Sequence, residues 1–147
     1  MRVNLIVDDH LLAMTIARAA PEDILTAVRN GELFTTVSWY YRLGRAALNP
    51  DTHGALSRQL EEMSPAHQAV VFNAIDVLPV DIGLISLRHL VPVMSELDSS
   101  GFRLNVLAAE AAAAALVTHA RIVVSTDAPL LATTCEQLGI QYDVLAV

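Results

Sequence analysis

The predicted fold depends on Arg121-Ile-Val-Val-Ser125, a short apolar run rich in β-branched residues, which is typical of a buried strand. A helical segment from Pro129 to Leu138 follows it, with proline at the start and Gly139 at the end, as helix termini prefer. Ile140-Gln-Tyr-Asp-Val-Leu145 is a second strand-like run. Strands that alternate with helices indicate an α/β sandwich with a parallel sheet.

The same alternation begins at the N-terminus, where Val3–Val7 predicts a buried strand. Residues 33–38 are either a short strand or the entry to the next helix, and 77–80 are a brief extended segment. The excess of helix predicts a small sheet of about four strands in one domain spanning residues 1–147. Helical spacing and capping residues predict further helices at 10–19, 21–30, 40–48, 53–62, 66–75, 81–97 and 105–119.

Composition excludes several classes of protein. The chain has 147 residues, of which 54% are hydrophobic and 17% charged, so it buries enough apolar surface to fold. No apolar run approaches the roughly 18 residues that span a bilayer, and Asp8 and Asp9 interrupt the N-terminal run too early for a secretory signal. The single cysteine, Cys135, favours a reducing compartment, and we expect a cytoplasmic protein with no membrane contact.

The net charge of −7 argues against nucleic-acid binding through the overall field of the protein. All nine basic residues are arginines. Arg42 and Arg45 lie one helical turn apart, so they are either a local phosphate-binding patch or part of a solvated helix face.

Two predicted strands end in aspartate. Asp8 follows Val3–Val7, and Asp127 follows the strand at 121–125. In an open parallel sheet, ligands bind outside the carboxyl ends of the strands, so we expect these strands to be adjacent and both aspartates to face one pocket. The pair then either binds a divalent cation such as Mg²⁺ or caps the helices that follow.

This order of elements resembles a PIN domain, a small metal-dependent ribonuclease that is often the toxin of a bacterial toxin–antitoxin pair. The resemblance covers nearly the whole chain: strand, Asp8 and helix at the start, and strand, Asp127, helix, Gly139 and strand at the end. It implies a PIN-like three-layer α/β/α sandwich with a small, mostly parallel sheet. It also implies RNA as substrate and an antitoxin or other protein as partner.

The resemblance further implies a site of three or four acids that hold Mg²⁺ or Mn²⁺. Asp8 and Asp127 match two of them. The family's glutamate falls near Trp39-Tyr40-Tyr41, where this sequence has no acid. For the remaining acid, Glu110 lies one position from the expected spacing, and Asn105 is the weaker candidate. Asp8, Asp127 and Glu110 are therefore the predicted catalytic and metal-binding residues, with Arg42 and Arg45 contacting the nucleic acid.

Two functions follow from this partly degenerate site. The first is a magnesium-dependent endoribonuclease of the toxin type. The second is a catalytically inactive PIN-like module that binds a protein or a nucleic acid, because loss of one carboxylate weakens metal binding and the positioning of the attacking water. Other enzyme classes lack their motifs: the sequence has no dinucleotide-binding fingerprint, phosphate-loop lysine or serine-hydrolase elbow.

Two further residues have simpler interpretations. His10, beside Asp8 and Asp9, is either a transition-metal ligand or a partly exposed residue at a helix start, and we favour the latter. Cys135 has no neighbouring base to activate it, so we expect an inert packing residue.

Trp39-Tyr40-Tyr41-Arg42 concentrates aromatic residues on one helix, where they are either an interface or base-stacking surface or an ordinary core anchor. At least one of the three rings must face outward, exposed or covered by a partner. Because the chain has few charges, its surface must expose apolar area, and we expect a homodimer or a stable partner complex. The predicted interface surrounds Trp39–Arg42 and the helices at 10–30. Trp39 would lose its remaining exposure when it forms.

Overall fold

A five-stranded sheet, all parallel, runs through the part of the chain that the structure describes, residues 3–49 and 54–146 of a computed structural model. The elements in chain order are β1 (Leu5–Val7), α1 (Asp9–Ile16), α2 (Glu22–Arg29), β2 (Leu33–Thr35), α3 (Val37–Leu48), α4 (Ala55–Glu62), α5 (Pro65–Asp76), β3 (Gly83–Leu84), α6 (Leu87–Ser99), α7 (Val106–Thr118), β4 (Arg121–Val124), α8 (Pro129–Leu138) and β5 (Tyr142–Val144).

The sheet has helices on both faces, which gives a three-layer α/β/α sandwich. Side chains of β1 alternate between the faces: Leu5 and Val7 pack with α1 to α5, whereas Ile6 packs with α6, α7 and α8. Ile122 and Val124 of β4 extend the second core. Alternation with a period of two is the expected behaviour of a strand between two layers. The predicted α/β class and layering are thus confirmed.

The strand order is β3-β2-β1-β4-β5. β1 and β4 are adjacent and parallel, with Ile6 opposite Ile122, as predicted for the two strands that end in aspartate. From β1 the chain builds one side of the sheet with β2 and β3, then crosses to the other side for β4 and β5. The carboxyl ends of β1 and β4 therefore mark the point where the strand order reverses.

The small, mostly parallel sheet of the prediction is observed with all of its strands parallel. Two details differ: the sheet has five strands where about four were predicted, and one helix starts later than predicted. The additional strand, β3, lies within the segment predicted to begin a helix at residue 81, and the extended residues at 77–80 form no strand. β3 pairs with β2 through Gly83, where any Cβ would collide with the ring of Phe34. Ser86 then caps α6, so that helix starts at Leu87.

The remaining elements agree with the sequence within a few residues. Residues 33–38 contain both a short strand and the entry to a helix, the two alternatives predicted, since β2 ends at Thr35 and α3 begins at Val37. α1 ends at Ile16, before Arg18 takes a positive φ of 60°. The predicted helix at 53–62 is observed from Ala55, and its first predicted residue lies outside the described ranges. Within those ranges no helix has the length and apolar character needed to cross a membrane.

Candidate functional site

A cavity of about 470 Å³ opens at the carboxyl ends of β1 and β4, where the strand order reverses. Ligands of open parallel sheets bind at such a point. Both strand-end aspartates line this cavity, as predicted. We call it the switch-point cavity; its lining comprises Asp8, Asp9, His10, Trp39, Arg42, Leu104, Asn105, Leu107, Ala108, Val124, Ser125, Thr126, Asp127, Ala128, Pro129, Leu130 and Leu131.

Asp8 is buried, and both of its carboxylate oxygens accept hydrogen bonds from the protein. Oδ1 accepts from the backbone N–H of Leu11 at 3.0 Å, which caps α1. Oδ2 accepts from the backbone N–H and the hydroxyl of Ser125, each at 2.7 Å. The side chain therefore joins the start of α1 to the end of β4. The helix-capping alternative from the sequence is confirmed for Asp8.

Asp127 lies at the exposed rim of the switch-point cavity. Its Oδ1 accepts a hydrogen bond from the hydroxyl of Tyr142 at 3.0 Å, and the same hydroxyl accepts from the backbone N–H of Ala128. Burial raises the pKa of Tyr142, and the Ala128 hydrogen bond opposes that shift. Asp127 is thus the most accessible carboxylate of the site.

Glu110 is fully buried and is not among the residues that line the cavity. Its Oε2 accepts from the backbone N–H of Val37 at 2.7 Å, and its Oε1 accepts from the backbone N–H of Ser38 at 3.2 Å and from the Ser38 hydroxyl. The Thr36 hydroxyl accepts from the next N–H, that of Trp39. These bonds satisfy the free amides in the first turn of α3. Glu110 thus caps a neighbouring helix and does not join Asp8 and Asp127.

Asn105, the weaker candidate, does line the switch-point cavity. Its Oδ1 accepts from the backbone N–H of Ala108 at 2.8 Å, so the side chain caps α7. Its position at the start of α7 brings an amide, and not a third carboxylate, to the rim of the cavity.

Asp9 carries a contact that the sequence did not reveal. Its side chain is buried, with Oδ2 3.3 Å from Nε of Arg42, and its Oδ1 accepts from the backbone N–H of His10. Burial raises the pKa of Asp9 above its ordinary value, while Arg42 opposes the shift. The guanidinium of Arg42 is thus partly occupied by its ion pair with Asp9. Arg45 makes no ion pair with any residue in 3–49 or 54–146.

The donor set does not fit a magnesium centre. Mg²⁺ requires well-placed oxygen ligands in near-octahedral geometry. Asp8 is engaged by α1 and β4, Asp9 by Arg42, and Glu110 by α3, which leaves Asp127 as the accessible carboxylate. Over the described part of the chain, no group of three or more His, Cys, Asp or Glu side chains is arranged to hold a metal ion.

His10 is fixed by Gln59 of α4. Gln59 Nε2 donates to the carbonyl of His10 at 3.1 Å, and Gln59 Oε1 lies 2.5 Å from Nδ1 of His10. Because the carbonyl only accepts, the amide orientation is defined, so Nδ1 carries the hydrogen. His10 lies where the switch-point cavity adjoins a second one of about 510 Å³, the α4 cavity, lined by His10, Met14, Ala19, Ala55, Arg58, Gln59, Glu62, Met63, His67, Ser125 and Thr126.

Two other predictions are tested by burial. Cys135 lies in the core beside α7, and burial raises the pKa of its thiol to about 11, which confirms an inert residue. Trp39 is 3% exposed, so the predicted role as an interface anchor that loses its exposure on association is wrong. Tyr41, at 68% exposure, is the outward-facing ring that the helix geometry required.

No protein-family model matches the sequence, and no curated protein is significantly similar to it. The likeness to PIN domains stays a prediction that rests on the order of the elements and on the strand-end aspartates.

Proposed function

We propose that the protein is a PIN-like module that binds single-stranded RNA without metal-dependent cleavage. The observation that carries this proposal is the use of the Asp8 carboxylate, both oxygens of which are engaged by α1 and β4. With Glu110 engaged by α3, the magnesium centre of an endoribonuclease loses two of its three predicted ligands. The second function from the sequence, an inactive binding module, is therefore favoured.

Arginine side chains near the site support RNA as the ligand. Arg42, Arg45 and His10 line a cavity of about 210 Å³, and Arg58 lines the α4 cavity. The planar guanidinium matches the geometry of a phosphate group. Because the whole chain carries −7, such binding depends on this local cluster and not on the net field.

An exposed aromatic ring supports a single strand over a duplex. Tyr41 lies one turn before Arg45 on α3, and both line a cavity of about 450 Å³. Proteins that bind single strands combine such stacking rings with cationic contacts to the backbone. Bases in a duplex are already stacked and do not offer their faces to a side chain.

The competing function, an endoribonuclease, is supported by one observation: Asp8 and Asp127 line the same cavity. The two functions differ in the role of Asp127. In a nuclease Asp127→Asn abolishes cleavage, whereas in a binding module it removes a negative charge near the RNA and raises affinity slightly.

We expect Arg45→Gln and Arg58→Gln each to weaken RNA binding by about fivefold and to lower the salt dependence by about one unit of slope. Both side chains are exposed and lie beside the site, so loss of either removes one phosphate contact without loss of packing. The measurement is fluorescence anisotropy of a labelled single-stranded oligoribonucleotide in EDTA. Arg42→Gln is avoided because it leaves the buried Asp9 unpaired.

Arg88→Gln is the matched control, since Arg88 is an exposed arginine of α6 that lines none of the cavities at the site. Its affinity should equal that of the wild type. Cleavage of the oligonucleotide on addition of Mg²⁺ or Mn²⁺, abolished by Asp127→Asn, would establish the nuclease instead. No binding by the wild-type protein at low salt would overturn the proposal.

A further inference from the structure

The switch-point cavity and the α4 cavity meet, and they differ in chemical character. Their linings share His10, Ser125 and Thr126. Each has a volume in the range of small-molecule sites, roughly 300–1,000 Å³. A ligand that extends past Thr126 therefore reaches both.

The inner wall of the switch-point cavity is apolar. It includes Leu107 of α7 and Leu130 and Leu131 of α8, and Trp39, which is 3% exposed, also borders the cavity. A carboxylate and an amide, those of Asp127 and Asn105, lie at its rim. A flat heterocycle fits the apolar wall, and hydroxyl or amino groups on the ligand are suitable donors to the rim.

The charges that line the two cavities favour an anionic group in the α4 cavity. Three carboxylates, those of Asp8, Asp9 and Asp127, line the switch-point cavity against one guanidinium, that of Arg42, which is paired with Asp9. None of the three lines the α4 cavity, so the balance of charge disfavours a phosphate in the switch-point cavity. Among the described residues, the α4 cavity presents the guanidinium of Arg58 and the imidazole of His67, against the carboxylate of Glu62. This polarity fixes the orientation of a ligand that has one apolar end and one anionic end.

We infer that the two cavities bind a nucleoside monophosphate, with the base against the apolar wall of the switch-point cavity and the phosphate beside Arg58 in the α4 cavity. The ligand is either a free nucleotide or the terminal nucleotide of an RNA strand. In the second case the inference rests on the proposed function and adds that the end of the strand is held here.

Trp39 is the single tryptophan of the chain and lines the base-binding cavity, so its fluorescence reports occupancy. We expect adenosine 5′-monophosphate and uridine 5′-monophosphate to change that fluorescence with saturation. Adenosine and inorganic phosphate should each bind about tenfold more weakly or worse, because each fills one cavity only. Arg58→Gln should weaken the monophosphates about tenfold and leave adenosine unchanged, and Arg88→Gln should alter neither.

A substitution in the switch-point cavity tests whether the base binds there. Ala108→Leu places a larger side chain in this cavity and reduces its free volume, so we expect the monophosphates and adenosine to bind more weakly alike. A thermal melt by circular dichroism confirms that each variant is folded. Should Ala108→Leu not fold, Leu130→Ala, at an exposed position that lines the same cavity, replaces it and should reduce affinity for both ligands.

Competition separates the two sources of the ligand. If 5′-phosphorylated RNA displaces the monophosphate and 5′-hydroxyl RNA does not, the site binds a strand end. If the monophosphate binds and neither RNA displaces it, the site binds free nucleotides. The inference would be overturned if millimolar monophosphate neither changed the Trp39 fluorescence nor displaced labelled RNA. That result would leave RNA binding itself intact. Failure of RNA binding alone would overturn only the proposed function.

Discussion

Replacing Glu110 with alanine is expected to lower the free energy of unfolding by about 3 kcal/mol or more. The carboxylate is fully buried and accepts hydrogen bonds from the first two amides of α3 and from the Ser38 hydroxyl. Alanine leaves these part-buried donors without their acceptor and removes a carboxylate from the positive end of the helix dipole. The substitution also leaves a cavity beside α7.

Urea denaturation followed by Trp39 fluorescence measures this loss. Glu110→Gln retains one carbonyl oxygen as acceptor and should therefore cost less than alanine. Glu96→Ala, at an exposed glutamate of α6, should stay within about 0.5 kcal/mol of the wild type. If Glu110→Ala were as stable as this control, the capping role of Glu110 would be refuted.

Replacing Trp39 with alanine is expected to cost about 3–5 kcal/mol of folding free energy, the usual loss for a large aromatic residue in a core. Trp39 is 3% exposed and packs with Ile6, Leu90 and the alanines of α7 in the core on the α6–α8 side. The loss is intramolecular, so it should not depend on protein concentration. Circular dichroism in urea at low and high protein concentration measures it.

Tyr41→Ala provides the contrast on the same helix. Tyr41 is 68% exposed, and we expect its removal to change stability by no more than about 0.5 kcal/mol. Destabilisation by Trp39→Ala that grew with protein concentration and shrank on dilution would show that Trp39 acts across an interface after all. Self-association itself stays a prediction, for which sedimentation is the measurement.

The central part of the fold was predictable from local patterns. β1 and β4 are apolar runs, and β5 follows a helix that ends clearly at Gly139. Parallel pairing of β1 with β4 then places Asp8 and Asp127 at one edge of the sheet. β3 was not predictable because two residues show no alternation. Its position depends on the close approach of Gly83 to the ring of Phe34, a contact between distant segments.

The roles of the acids were predictable only in part. Asp8 as a helix cap followed from its place before α1, but its bonds to Ser125 join residues 117 positions apart. For Glu110 the resemblance to PIN domains implied a metal ligand, whereas the packing of α7 against α3 turns the side chain toward the start of α3. Sequence spacing locates a carboxylate along its helix, and tertiary packing decides which donors it meets.

The stability of Asp8→Asn in EDTA tests whether Asp8 holds α1 to the end of β4 by hydrogen bonds or is a metal ligand. An amide supplies one acceptor oxygen in place of two and turns an NH₂ group toward either Leu11 N–H or the donors of Ser125. We expect Asp8→Asn to lose about 1–3 kcal/mol in urea denaturation, and millimolar Mg²⁺ not to stabilise the wild type. In a metal site without its ion, removing one carboxylate relieves repulsion. If Asp8→Asn were more stable than the wild type in EDTA, and Mg²⁺ stabilised the wild type alone, Asp8 would be a metal ligand and the structural role would be refuted.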